Sequence, residues 1–271
     1  MPFGPLVSAE WLREHLGEPD LRVVDFRWHL QGPNGLDEYR QGHIPGAVFI
    51  DLEWVTGTEG GGRHPLPTSA QFEAELQMAG ITSESRVVVY DDAGGSIAAR
   101  LWFLLGWFGH DRQAVLDGGL QAWAASLDTA VPPLAPGNFL AREPDRSRIL
   151  DFEAVRQLEG VALIDARAGE RYRGEKEPVD PKAGHIPGAL SAPFRENLGP
   201  DGRFKSPAEQ RQSYSHRGVE SEAVVYCGSG VNACHAILAM ELAGLRNVRL
   251  YAGSWSDWSD RDAPVATGQD P

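Results

Sequence analysis

The stretch that decides the fold is Glu222-Ala223-Val224-Val225-Tyr226-Cys227-Gly228-Ser229-Gly230-Val231-Asn232, followed by Ala233-Cys234-His235-Ala236-Ile237-Leu238-Ala239-Met240-Glu241-Leu242. A short β-branched run, a turn with two glycines and a long apolar segment predict strand, tight loop and helix. Gly228 and Gly230 let the backbone curl, so that several amides can point at one spot beside a helix N-terminus. Cys227 stands where this loop opens. A thiolate, or anything anionic attached to its sulfur, is stabilised in such a place.

Working outward, the same programme occurs twice. The strand into Tyr226 repeats Arg86-Val87-Val88-Val89-Tyr90, and Asp91 then falls where Cys227 falls. Gly184-His185-Ile186-Pro187-Gly188-Ala189 repeats Gly42-His43-Ile44-Pro45-Gly46-Ala47. Val161-Ala162-Leu163-Ile164-Asp165 matches Leu21-Arg22-Val23-Val24-Asp25, and each is followed two residues on by an arginine, Arg167 and Arg27. Val248-Arg249-Leu250-Tyr251 and the tryptophans after it answer the stretch from Leu116 to Trp123. A period of roughly 140 residues is too long for a solenoid and predicts two homologous domains. Strands alternate with helices in each, so the expected class is α/β, with two parallel sheets flanked by helices and chemistry at the strand C-terminal ends. The boundaries read as 1–128, a Pro-rich linker over 129–147 centred on Val131-Pro132-Pro133-Leu134-Ala135-Pro136-Gly137, and 148–271. Helices are expected at Ala9, over Ser69–Met78, over Ile97–Leu105 and after Asp151; Gly60-Gly61-Gly62 marks a loop.

Composition narrows the function. A net charge of −13 opposes binding to nucleic acid or an anionic membrane surface, and an anionic substrate then needs a locally positive pocket. The opening Met1-Pro2-Phe3-Gly4-Pro5-Leu6 has no basic or apolar leader character, and no run approaches about 18 apolar residues. A cytoplasmic protein is expected. The two cysteines, Cys227 and Cys234, are poorly spaced for an unstrained disulfide, and no Cys/His spacing resembles a zinc site.

A cysteine in a curl of amides could serve a phosphatase, a redox enzyme or a sulfur carrier. A C-x5-R phosphatase needs a guanidinium fork on the phosphate, and the sixth residue after Cys227 is Ala233. A thioredoxin-type centre needs C-x-x-C, and position 230 is glycine. A small, largely neutral pocket suited to one extra sulfur atom on the cysteine remains.

Here the chain resembles the two-domain rhodanese-like sulfurtransferases, the family of thiosulfate and 3-mercaptopyruvate sulfurtransferases. The resemblance covers nearly the whole length. It rests on Tyr39 with His43-Ile44-Pro45-Gly46-Ala47, Asp165-Ala166-Arg167 with His185-Ile186-Pro187-Gly188-Ala189, the Cys227 loop, and Tyr251-Ala252-Gly253-Ser254-Trp255-Ser256-Asp257-Trp258. It implies two tandem rhodanese-like domains, the first an inactive copy with Asp91 at the cysteine position. It also implies that Cys227 takes sulfur from a donor as a persulfide and passes it to cyanide, a dithiol or thioredoxin, with no metal or organic cofactor.

The loop Cys-Gly-Ser-Gly-Val is similar to that of mercaptopyruvate enzymes, with Asn232 where the family usually has threonine. Gly228, Gly230, Val231 and Asn232 would line the donor site, and Arg171 matches the arginine that grips the donor's anionic group. A second arginine, usual shortly before the His-Ile-Pro-Gly segment, is missing from Glu177-Pro178-Val179-Asp180-Pro181-Lys182. Lys182 offers a charge there without the fork. The resemblance favours 3-mercaptopyruvate over thiosulfate, and it implies a proton relay of Ser229, His43 and an acid, for which Asp37 is the nearest upstream aspartate.

Structural roles are expected for Cys234 in helix packing, for His185 in holding its turn, for Arg27 and Arg167 in ion pairs, and for Trp255 and Trp258 in the core. The competing reading in the same fold is a persulfide carrier or regulatory module acting on a partner protein without turnover on small donors.

Overall fold

A computed structural model describes residues 3–271; Met1 and Pro2, part of the opening stretch read above, lie outside the described residues. The chain divides into two compact units. The first holds residues up to Gly57, Pro67–Asp145 and Asp201–Arg203. The second holds Thr58–Leu66, Arg146–Pro200 and Phe204–Pro271.

In the first unit the strands are β1 (Leu6–Val7), β2 (Leu21–Asp25), β3 (Val48–Phe49), β4 (Arg86–Tyr90) and β5 (Gln113–Leu116). They form one sheet in the order β1-β5-β4-β2-β3, with every pairing parallel. In the second unit β6 (Ile149–Leu150), β7 (Ala162–Asp165), β8 (Ala189–Ser191), β9 (Ala223–Tyr226) and β10 (Val248–Tyr251) repeat that order as β6-β10-β9-β7-β8, again all parallel. Each central strand, β4 or β9, is an apolar run rather than an alternating one, because helices cover both faces of a parallel sheet. All four residues of β9 and the last four of β4 are buried.

Helices α1 (Ala9–His15), α2 (Gly35–Gln41), α3 (Ser69–Met78), α4 (Ala98–Trp107) and α5 (Gly119–Trp123) belong to the first unit. Their counterparts are α6 (Phe152–Arg156), α7 (Gly169–Tyr172), α8 (Pro207–Ser215), α9 (Val231–Leu242) and α10 (Ser254–Asp260). Their starts are chemically marked: Ser8, Thr68 and Asp151 each accept a hydrogen bond from an amide three residues on, and Ser206 with Glu209 forms a capping box. Helices α4 and α9 are apolar nearly all round, as suits helices packed directly on a sheet.

The duplication extends to single hydrogen bonds. The Asp25 carboxylate takes a bidentate fork from Arg27, whose Nη2 also donates to the Gly42 carbonyl; Asp165, Arg167 and Gly184 repeat this. Tyr39 and Tyr172 donate to the carbonyls of Ala47 and Ala189. The amides of Ile44 and Ile186 donate to the hydroxyls of Tyr90 and Tyr226. Arg27 and Arg167 are therefore structural, as expected, and burial beside Asp165 pushes the Tyr226 hydroxyl well above its ordinary pKa.

Two segments pack differently from the sequence reading. The Pro-rich stretch is no free linker: the Gly137 amide donates to the Gln77 carbonyl, that of Phe139 donates to Ile81, and the Phe139 ring is buried. A Cβ on Gly137 would lie 1.8 Å from the Ile81 carbonyl oxygen, so only glycine permits that approach. Residues 58–66, which the sequence reading leaves inside the first domain, fold with the second unit.

Candidate active site

Cys227 ends β9 and is 3% exposed. Three short bonds fix its loop. The Cys227 amide donates to Ser254 Oγ at 3.1 Å, and the carbonyls of Cys227 and Gly228 accept from the amides of Trp255 and Ser256 at 2.9 Å each. Gly230 takes a left-handed φ of 79° as the residue before α9, a conformation that spares it the Cβ clash any other residue would meet. The twelve-residue α9 thus points its N-terminus at the loop, and the positive end of its dipole favours negative charge there. Val231 is buried in the first turn of that helix and Asn232, half-buried, follows it. Cys234 lies one turn further on with Sγ 3.2 Å from the Gly230 carbonyl; neither cysteine is in a disulfide.

Segment 58–66 brings two side chains to this loop that the sequence reading missed. His64 Nδ1 is 2.8 Å from Ser229 Oγ, with both residues buried. The neighbouring Arg63 pairs with Asp180 and anchors its own amide on Ser256 Oγ at 3.1 Å. Two of the three glycines just before them are required by close packing. A Cβ on Gly61 would lie 2.2 Å from an Asp257 carboxylate oxygen, and one on Gly62 would lie 2.3 Å from the Gly253 carbonyl oxygen. A glycine run ending in Arg-His was the available signal, though glycines alone announce only a loop.

Arg171, on α7, belongs to the same second unit. Its Nη2 reaches Glu177 Oε1 at 2.6 Å and Asp180 Oδ2 at 2.9 Å. Glu177 also accepts from Arg167 Nη1 at 3.2 Å and from the amides of Val179 and Asp180. The stretch that lacks the anticipated second arginine therefore contributes two buried carboxylates instead. The Lys182 ammonium, half-buried, donates to the Arg261 carbonyl at 2.5 Å.

The partners of His43 and Asp37 lie elsewhere, and the imidazole at Ser229 is that of His64. His43 is buried in the first unit, stacked on Tyr39 with ring centroids 3.9 Å apart, and its two nitrogens meet the carbonyls of Tyr39 and Ala130. His185 is held in the same manner, by Tyr172 stacking and two backbone carbonyls, so both histidines hold turns. Asp37 is exposed in the first turn of α2 and faces Arg40 at 3.4 Å. Trp255 and Trp258 are core residues: the Trp255 ring lies under the Arg167 guanidinium at 4.4 Å, and Trp258 packs on Phe152.

A sheltered cysteine, a hydroxyl bonded to an imidazole two residues along, and guanidinium groups beside the loop can carry out nucleophilic attack by sulfur on an anionic molecule, with a proton supplied from Ser229 and His64. Comparison with known proteins gives the family. The rhodanese-like domain family matches residues 8–126 and again 151–261. A Pseudomonas aeruginosa protein named "Probable 3-mercaptopyruvate sulfurtransferase" is 48% identical over 99% of this chain and 100% of its own. A Mycobacterium tuberculosis protein, named as a thiosulfate sulfurtransferase, is 39% identical over 93% of this chain and 92% of its own. The crystal structure of the Escherichia coli 3-mercaptopyruvate sulfurtransferase SseA superposes with a TM-score of 0.83 at 32% identity, covering 93% of this chain and 99% of that one. Among the described residues no helix is long and apolar enough to cross a membrane.

Proposed function

This chain belongs to the rhodanese-like family and is a sulfurtransferase with a small-molecule sulfur donor and a thiol acceptor, and from that premise we propose that its donor is 3-mercaptopyruvate and that Cys227 carries the sulfur. The observation that carries this reading is the 2.8 Å contact of His64 Nδ1 with Ser229 Oγ, beside Cys227. Thiosulfate releases sulfite, which needs no proton on carbon. Mercaptopyruvate releases a carbanion, which does.

The Cys227 thiolate attacks the donor's mercapto sulfur, and an S–S bond forms as the C–S bond breaks. The electron pair goes to carbon as the enolate of pyruvate. Ser229 gives that carbon a proton and recovers one from His64. The thiolate of the acceptor then takes the outer sulfur and Cys227 leaves as thiolate. Arg171 holds the donor carboxylate by a charge-assisted bond. Reduced thioredoxin is the acceptor we assign, since its dithiol can release the transferred sulfur as sulfide while closing its own disulfide.

Steady-state kinetics with each donor in turn test the reading. We expect kcat/KM to favour 3-mercaptopyruvate, and Arg171→Ala to raise its KM about tenfold or more with a smaller change in kcat. Turnover with thiosulfate alone would contradict the donor assignment. Turnover with neither donor would favour a persulfide carrier serving a partner protein.

A further inference from the structure

The first unit has lost the cysteine, and the side chains around its loop have changed from anion-binding to cation-binding types. We propose that His29, Glu38 and Asp92 form a site for one divalent transition-metal ion of the zinc type, held wholly within the first unit.

Three separate elements bring the ligand atoms together. Strands β2 and β4 are paired neighbours, with Asp25 opposite Tyr90, so the segment leaving β2 and the loop leaving β4 emerge side by side. His29 lies on the former, Asp92 on the latter, and α2 adds Glu38. His29 Nε2 is 2.7 Å from Glu38 Oε2 and 3.7 Å from Asp92 Oδ2. One imidazole nitrogen and one oxygen from each carboxylate all lie within 4.8 Å of one another. A tetrahedral ion with bonds of about 2.0–2.1 Å keeps its donors roughly 3.3 Å apart. The two histidine contacts straddle that spacing, so small side-chain rotations suffice to close on an ion.

The backbone under these side chains is fixed. Asn34 caps α2 by accepting from the amides of Leu36 and Asp37, and a Cβ on Gly35 would stand 2.0 Å from the Arg27 carbonyl oxygen, which holds the helix start against the segment that carries His29. Gln121 Nε2 donates to the Asp92 carbonyl at 2.7 Å, and the Asp91 carboxylate is consumed by four amides of its own loop. The shared frame does not call for the three ligands. At the corresponding places the second unit has Gly169, Arg171 and Gly228.

Charge and donor type select the ion. Among the described residues His29 is the ion-pair partner of both carboxylates, and no lysine or arginine lies within ion-pair distance of either. Two carboxylates held this close repel each other. A divalent ion cancels both charges and takes the imidazole in its neutral form. A nitrogen ligand favours zinc and its neighbours over magnesium and calcium, which take oxygen. All three residues are half-buried, so water can complete the fourth tetrahedral position. The site is independent of the donor that Cys227 uses.

The test is calorimetric titration of the metal-stripped full chain with zinc chloride, in a Cys227→Ser background so that zinc on the thiolate of the other unit is not counted. One zinc ion per chain should bind, and zinc should raise the melting temperature. His29→Gln, Glu38→Gln and Asp92→Asn, each added singly, should weaken binding about 100-fold or more and abolish that rise, while the melting temperature without zinc shows each variant to be folded. Zinc binding of equal strength in all three variants would overturn the site. So would the absence of both heat and a melting-temperature rise at millimolar zinc, and tighter binding of magnesium than of zinc would overturn the assigned class of ion.

Discussion

The loop after β4 and the loop after β9 hang on the same frame and do opposite things. In each, an aspartate and arginine pair closes the preceding strand end, a buried tyrosine holds the His-Ile-Pro-Gly turn, and the first loop carbonyl accepts from the helix after the last strand: Leu120 onto Asp91, Trp255 onto Cys227. In the first loop the Asp91 carboxylate accepts four backbone amides, from Ala93, Gly95, Ile97 and Ala98, at 2.7–2.9 Å. Its own side chain fills the amide cradle. In the second loop a cysteine holds that position, and the sulfur is left for chemistry. The surroundings invert as well. Glu38 precedes Tyr39 where Arg171 precedes Tyr172, and Asp92 follows Asp91 where Gly228 follows Cys227. Glu38 and Asp92 both face His29, at 2.7 and 3.7 Å. A frame of buried hydrogen bonds is thus common to both copies, while a few loop residues differ: a carboxylate fills the amide cradle of one loop, and the proposed function has the other receive an anion from outside.

The two loops differ most at Asp91 and Cys227. Asp91→Ala strands four backbone amides, three of them buried, and should destabilise the protein by at least about 3 kcal/mol. Cys227→Ala should leave stability within about 1 kcal/mol and remove sulfur transfer entirely. Chemical denaturation and a sulfide-release assay on both variants check this, and equal stability losses would refute the division of labour.

The histidines give the next largest contrast. His64→Gln should lower kcat with 3-mercaptopyruvate about 100-fold, because the serine then lacks a proton source. His43→Gln should cost about 1–2 kcal/mol through its lost backbone bonds and leave kcat within a fewfold. A reversed pattern in the assay and the melting curves would restore His43 to the relay.

The smallest effect is expected at Asp92. Burial, reinforced by Asp91 and Glu38 and opposed by His29, raises its carboxyl above the ordinary 3.8. A raised acid binds its proton more tightly in the folded than in the unfolded state. Its contribution is favourable below the unfolded pKa and is lost as pH rises through the folded one. Asp92→Asn should therefore raise the melting temperature modestly at pH 7, and the gain should vanish below pH 3.8. A gain that instead grows towards acid would show the assigned sign to be wrong.

Much of this fold can be read from local pattern. Strands Leu21–Asp25 and Arg86–Tyr90 and helix Ser69–Met78 stand where periodicity and capping residues put them. The chain-wide repeat foretold two sheets of one topology. The packing of 58–66 and 129–145 was not legible, because the glycines and prolines that permit close approach do not say what is approached. The site follows the same rule. Cys227, Ser229 and Arg171 lie in motifs whose neighbours in sequence reveal their setting. Arg63 and His64 act on residues more than a hundred positions away, and His64 meets Ser229 across a separation of 165. His43 drew attention because it sits in a conspicuous motif, yet that motif recurs in both copies for the sake of a turn.

Under the proposed function one of two equivalent loops carries the sulfur and the other cannot. Mass mapping of peptides after brief exposure of the intact protein to 3-mercaptopyruvate, without acceptor and with free thiols blocked, tests it most directly. The account predicts one added sulfur atom on the peptide bearing Cys227 and none on Cys234 in the Cys227→Ser variant. Sulfur carried on Cys234, or undiminished sulfide release by Cys227→Ser, would contradict it.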